Sequence, residues 1–250
     1  MRKRKLSERI VSVDEILERA KELLKEEIND SMSFSDKVNL LEKLAHEIYL
    51  EEELKAIASY LRDSIPNEIL EIENKDELIN RLLEHIAKLI QQNIAKDLPN
   101  IRRARAGSSS EKILKIALEE FEGIKCEVLR RKKKEEYLPD LAVPNWKTLL
   151  ENPENSIAIA VKRTLRERWR EDTTIFTKFK NAVFVCISED TDFGVDKIKA
   201  MVDEKMKVVF IPDKVFNRYV DEINRVRESI RFYPLSELPN YLRKILSKNS

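Results

Sequence analysis

The 250-residue chain holds only two cysteines, Cys126 and Cys186, two glutamines, Gln91 and Gln92, and two histidines, His46 and His85. The cysteines are far apart, each inside an apolar run, so they offer neither a disulfide framework nor zinc-ligand spacing and read as small core residues. Neither histidine has an HExxH-type partner, so both read as structural side chains of helices rather than ligands or bases. No apolar run approaches the ~20 residues needed to span a bilayer. The opening MRKRK passes directly into LSERIVSVDE without the apolar stretch of a signal peptide. The expectation is a soluble, cytoplasmic protein without a membrane partner. A net excess of charge is missing too: 47 basic residues stand against 46 acidic ones. Whole-chain charge therefore predicts no partner, and any phosphate or nucleic-acid site has to be a local concentration of cations.

Charge density itself is high, at 37% of residues. The abundance of Lys, Glu and Ile and the scarcity of Gln match the bias of hyperthermophile proteins, in which ion-pair networks cost less as temperature rises. That concerns habitat, not activity. The length suits one large domain, or one domain with a helical extension. Residues 12–97 read as helices, because Leu17, Leu23, Leu24 and Ile28, then Val38, Leu41, Leu44 and Ile48, then Leu78, Leu82, Ile86, Leu89 and Ile90 recur at helical spacing. Breaks are expected at Ser33-Phe34-Ser35-Asp36 and Ser64-Ile65-Pro66-Asn67. We place a helical N-terminal region at 1–98 and a second region at 99–250.

Past Pro99 the pattern changes. Ser108-Ser109-Ser110 and Glu111 open an expected helix running to Glu122, with Gly123 as its stop. Strands are expected at 125–131, 137–143 and 156–162, a helix at 169–180, a strand at 182–188, a helix at 195–204 and a strand at 207–211. Helices at 213–231 and 235–247 close the chain. This order implies an α/β fold, a mixed sheet with helices on its faces. The basic run Arg130 to Lys134 reads as a solvated hairpin tip that could also touch a phosphate backbone.

Within this half, "YLPDLAV" carries one acid, Asp140, among apolar neighbours, and "SIAIAVK" drives a β-branched strand out to Lys162. A lysine at the lip of a buried strand is costly unless an anion meets it. If the two strands are adjacent, both side chains project at one sheet edge. A carboxylate can hold a hard cation such as Mg2+, and an ammonium can stabilise charge building on a phosphorane. A structural ion pair is the plainer alternative. Arg166, Glu167 and Arg168 follow closely. Arginine can grip guanine O6 and N7, and glutamate can accept from cytosine N4, so this triplet could read two successive C·G pairs in a major groove. A solvated charged face is again the plainer alternative.

Three segments together resemble the type II restriction endonucleases of the PspGI, SsoII and EcoRII group, within the PD-(D/E)xK nuclease superfamily. They are "RRARAGSSSE" at 102–111, "PD" at 139–140 and "VKRTLRERWRE" at 161–171. The resemblance implies a restriction-endonuclease-like mixed sheet flanked by helices and a Mg2+-dependent homodimer cutting double-stranded DNA at a CCNGG- or CCWGG-like palindrome. By resemblance, Asp140 is a metal ligand, Lys162 the catalytic lysine and Glu111 a further acid. Arg166, Glu167 and Arg168 would read the half-sites, and Arg102, Arg103 and Arg105 would hold backbone or central bases. The chain departs from the pattern at two places. A plain motif has an acid two residues before the lysine, where this chain has Ala160. The group instead places that acid thirteen residues past the lysine, where this chain has Ile175. Glu171, one helical turn earlier on the same face, is the expected substitute catalytic acid and metal ligand.

Two other functions fit the same residues. One is a repair or junction nuclease, against which the Arg-Glu-Arg segment argues, because such enzymes read shape more than base edges. The other is a sequence-specific DNA-binding protein whose nuclease centre has decayed.

Overall fold

Short runs of β-branched and apolar residues bounded by polar turns build the second half of the chain. The computed structural model describes residues 5–29, 31–129, 138–164, 173–189 and 193–247. Six strands form one sheet: β1 (Glu127–Val128), β2 (Leu141–Val143), β3 (Ile157–Lys162), β4 (Ala182–Cys186), β5 (Val208–Ile211) and β6 (Arg231–Pro234). They lie in sequence order. The β1–β2 and β2–β3 pairs are antiparallel; the pairs from β3 to β6 are parallel. This is the expected mixed sheet flanked by helices, preceded in the sequence by an all-helical N-terminal region.

Residues of β2 to β5 are buried on both faces, so they read as continuous apolar runs rather than alternating ones. Alternation still sorts them. Ala142, Ala158, Ala160, Phe184, Cys186, Val209, Ile211 and Phe232 share one core cluster with helix residues Ile175, Phe176, Ile198, Met201, Val215 and Ile223. The opposite face of β5 presents Phe210, whose ring meets Tyr233 and Tyr241 at centroid distances of 5.3 Å each. Cys126 and Cys186 are buried free thiols, as expected of core residues. Burial pushes the Cys126 thiol up to about 12.

The helices are α1 (Val13–Glu27), α2 (Phe34–Ser64), α3 (Asn67–Leu70), α4 (Lys75–Leu89), α5 (Ala95–Ile116), α6 (Trp146–Glu151), α7 (Ile175–Lys178), α8 (Val195–Asp203), α9 (Asp213–Arg218), α10 (Val220–Val226) and α11 (Leu238–Leu246). The chain divides into two compact units, one of residues 1–23 and 43–106, the other of residues 24–42 and 107–250. In the first, Leu6, Ile10, Ala56 and Ile94 form a small core against Tyr49, Ile57, Tyr60, Leu61, Leu98 and Ile101. His46 is exposed, and His85 Nε2 lies 2.9 Å from the Ser64 carbonyl oxygen. No helix among the described residues is long and apolar enough to cross a membrane.

Three local expectations are corrected. The helix expected to begin near Ser108 begins instead at Ala95 and runs through Pro99. A π-helical segment, Ile90–Ile94, precedes it. Pro99 donates nothing to the carbonyl of Ala95, four residues back, and the helix continues past it all the same. Gly123 does end the following turn: its φ is +65°, and Ile124 N–H donates back to Leu118 O at 2.9 Å. The single helix expected over 213–231 is two, α9 and α10, with Tyr219 leaving helical geometry between them and packing its ring on Phe193 at 5.4 Å. Finally, β6 occupies "RFYP", a strand made by pairing with β5 rather than by any local period.

Candidate active site

The antiparallel register of β2 and β3 sets the site. Leu141 pairs with Ile159, and Asp140 N–H donates to Ile159 O at 2.9 Å. Asp140 immediately precedes β2, and Lys162 ends the partner strand β3. Within β3, alternation puts Ala160 and Lys162 on one face of the sheet. Asp140 sits at the point where backbone pairing runs out. Its Oδ2 accepts the Val161 backbone N–H at 2.7 Å, taking the place of a ladder carbonyl. That bond fixes the carboxylate's position. A carboxylate offers about four acceptor sites, so one such bond leaves capacity for a hard cation. The Lys162 carbonyl accepts from Ile187 N–H at 3.1 Å, which extends the parallel ladder with β4 and holds the lysine's backbone.

The two departures of the sequence meet in the core. Ala160 is 1% exposed and Ile175 3% exposed, and both belong to the same apolar cluster. Both positions that could have supplied a second acid are therefore dry and apolar. Glu111 is half-buried on α5, one residue past the buried Ser110. Among the described residues no three His, Cys, Asp or Glu side chains gather as a metal-binding group. Arg166, Glu167, Arg168 and Glu171 lie outside the described residues, as do Asp172 and the basic run Arg130 to Lys134.

Of the arginines at 102, 103 and 105, Arg103 is exposed. Arg102 donates from Nε to both carboxylate oxygens of Glu53 at 3.0 and 3.1 Å, and Arg102 Nη2 and Tyr49 Oη also bond that carboxylate. Arg105 Nη2 donates to the carbonyls of Ile10, at 3.2 Å, and Val11, and its guanidinium lies 5.3 Å from the Tyr49 ring centroid. Burial pushes the Glu53 carboxyl up, but the bonds from Arg102 and Tyr49 and the charges of Arg102 and Arg105 outweigh it. The net pKa lies below the usual 4.5. A carboxyl lowered in this way adds stability above its unfolded pKa, and that stability is lost as pH falls through the folded value. Arg102→Ala should destabilise the helical unit by about 1–3 kcal/mol, because it strips a buried acceptor of its main donor. Glu53→Gln should flatten the acid limb of its stability curve. Urea titrations followed by circular dichroism, from neutral pH down through the carboxylate range, check both; an unchanged midpoint in both variants would deny the network a structural role.

Sequence reasoning missed Glu42, which holds Arg163, the residue after Lys162, through a contact of 2.6 Å from Arg163 Nε to Glu42 Oε1. The available signal was a set of polar residues, Ser35, Asn39 and Glu42, at helical spacing beside the buried Val38 and Leu41.

A mixed sheet whose antiparallel β2–β3 pair brings Pro139-Asp140 alongside a terminal lysine, with parallel strands and helices beyond, is the restriction-endonuclease-like architecture. Solved structures agree with it over nearly the whole chain. A complex of restriction endonuclease PspGI with substrate DNA superposes with a TM-score of 0.68 and 25% identity, covering 98% of this chain and 97% of that one. Metal-depleted Ecl18kI with uncleaved, modified DNA gives a TM-score of 0.73 at 20% identity, covering 97% and 82%. Metal-depleted Ecl18kI with uncleaved DNA gives 0.66 at 18%, covering 96% and 87%. The chain is thus a structural homologue of PspGI- and Ecl18kI-type restriction endonucleases. No family model matches the sequence. No curated protein matches it either.

Proposed function

We propose that this chain is a Mg2+-dependent, site-specific endonuclease that cuts double-stranded DNA as a homodimer at a CCNGG- or CCWGG-like palindrome. The observation carrying this reading is the 2.7 Å bond from Val161 N–H to Asp140 Oδ2, which holds that carboxylate one residue from Lys162 at the end of the β2–β3 pair, in a fold shared with DNA-bound restriction endonucleases. Asp140 fits as an oxygen ligand, since Mg2+ commonly takes only one or two carboxylates and completes its shell with water and phosphate. When bound, the cation would polarise the phosphate and acidify a water. Glu171 would be the second carboxylate, with Glu111 a further acid nearby. Lys162 would place its ammonium against the phosphate oxygens, where negative charge grows as water oxygen bonds to phosphorus and the sugar oxygen leaves. A two-fold dimer matches a palindromic site. Plasmids with and without CC(N)GG sites, incubated with the protein and Mg2+, test this. Cutting confined to the first supports it, and cutting of neither or of both alike rejects it.

Base reading falls to Arg166, Glu167 and Arg168 in this proposal; of the arginines expected at backbone or central bases, the exposed Arg103 is the one to offer a contact, since Arg102 and Arg105 are bonded to Glu53 and to the Ile10 and Val11 carbonyls. Arg166→Ala or Arg168→Ala should forfeit about 1–3 kcal/mol of discrimination between cognate and random duplexes. Weak binding should persist, because backbone cations supply it. Competition binding on the two duplexes reads the difference; an equal loss on both would assign these arginines to phosphates.

A second reading, a sequence-specific DNA-binding protein without cleavage, draws on the apolar burial of Ala160 and Ile175. Duplex binding without cleavage in Mg2+ or Mn2+ would select it.

A further inference from the structure

The first turns of α2 meet the ends of three parallel strands, one polar residue to each. Ser35 Oγ accepts the backbone N–H of Asp213, two residues past β5, at 3.2 Å. Asn39 Nδ2 donates to Glu189 Oε1, three residues past β4, at 3.2 Å. Glu42 Oε1 accepts from Arg163 Nε, one residue past β3, at 2.6 Å. The dimensions explain the fit. Ser35 and Glu42 are separated by about 10 Å of helix rise, and β3 and β5 by about 9.6 Å, two strand spacings. Spacing of i, i+4 and i+7 keeps all three residues on one helix face. Between them, Val38 and Leu41 are fully buried.

At Arg163 this line of contacts reaches the candidate centre. The Arg163 carbonyl is held as well, accepting from Ser188 N–H at 3.0 Å and Cys186 Sγ at 3.5 Å. The Glu42 side chain is 16% exposed and that of Arg163 34%, so water screens the pair only in part. Lys162 therefore lies between two fixed points, the Val161 N–H bonded to Asp140 and the Arg163 side chain bonded to Glu42.

We propose that Glu42 is a positioning residue for the cleavage reaction. It restrains Arg163, so that Lys162 alone meets the scissile phosphate. The proposal rests on the nuclease reading of Asp140 and Lys162. Released from Glu42, the Arg163 guanidinium would become a second cation beside Lys162, able to take the phosphate in a bidentate grip and draw it from the reactive position. Binding would then gain where turnover loses, which a merely structural role does not produce.

Glu42→Gln tests this. Its single-turnover cleavage rate should fall about ten- to a hundred-fold, the scale of a small misplacement at a reacting centre. Cognate duplex binding in Ca2+ should hold or tighten. The slope of log binding constant against log salt should steepen by about 0.9, one added phosphate contact. The double variant Glu42→Gln with Arg163→Gln should recover most of the rate, because the displaced cation is gone. A wild-type rate and salt slope in Glu42→Gln overturn the proposal. So does a rate loss matched by weaker binding and a lower melting temperature, which would make Glu42 structural only. A wild-type chain that binds but never cuts refutes the nuclease reading instead. The salt slope then still decides whether Glu42 keeps Arg163 from DNA.

Discussion

Lys162→Ala should lower the cleavage rate by about 10²- to 10³-fold, the range for removing one group that stabilises transition-state charge. The loss should appear in turnover rather than in site binding. Lys162 ends β3, and its backbone carbonyl remains bonded to Ile187 whatever its side chain. Asp140→Asn should be equally inactive for a different reason. The amide oxygen can still accept the Val161 N–H that Asp140 Oδ2 accepts at 2.7 Å, so the strand edge is kept. Only the negative charge that a hard cation needs is lost. Gel-shift titrations in Ca2+ with a cognate duplex, beside single-turnover cleavage in Mg2+, separate the two effects. Residual cleavage near the wild-type rate in either variant would remove that residue from the centre. Poor binding by Asp140→Asn, with normal melting, would make it a DNA contact instead.

Glu171→Gln should abolish cleavage while leaving site-specific binding in Ca2+ nearly unchanged. The reason lies in the core. Ile175, where an acid would be expected, is 3% exposed within the same apolar cluster as Ala160, so neither position can contribute a ligand. A cation held by Asp140 alone would be loosely placed, because Mg2+ demands near-octahedral geometry. Glu171 lies four positions before 175 in the sequence, a difference that a glutamate side chain or a bridging water would have to cover. Asp172→Asn should be milder, because an aspartate reaches one methylene less far than a glutamate. Wild-type cutting by Glu171→Gln would transfer the second acid to Glu111, and Glu111→Gln would then become the inactive variant.

The strand-forming runs were legible because burial on both faces leaves a local trace: "LAV", "IAIAVK" and "AVFVC" are apolar without interruption. The helical half was legible through its period. Strand β6 was not, since "RFYP" owes its conformation to pairing with β5 and carries no period of its own. The extent of α5 was not legible at Pro99, because proline disfavours a helix locally, whereas here the helix runs through it.

For the candidate site the division is similar. The sequence by itself determined the α/β class, the balanced charge and the isolated Asp140 and Lys162, because residue type and spacing within one element are local properties. It also exposed the absence of an acid at 160 and 175. Tertiary structure alone decided that Asp140 meets Val161, beside Lys162, that both acid-lacking positions lie in one dry cluster, and that Arg102 meets Glu53. It alone joined Arg163 to Glu42 across 121 positions of chain. Such pairings are fixed by sheet register and helix packing, whose energies come from residues distant in sequence. No short window of the chain contains both partners, and so none could disclose them.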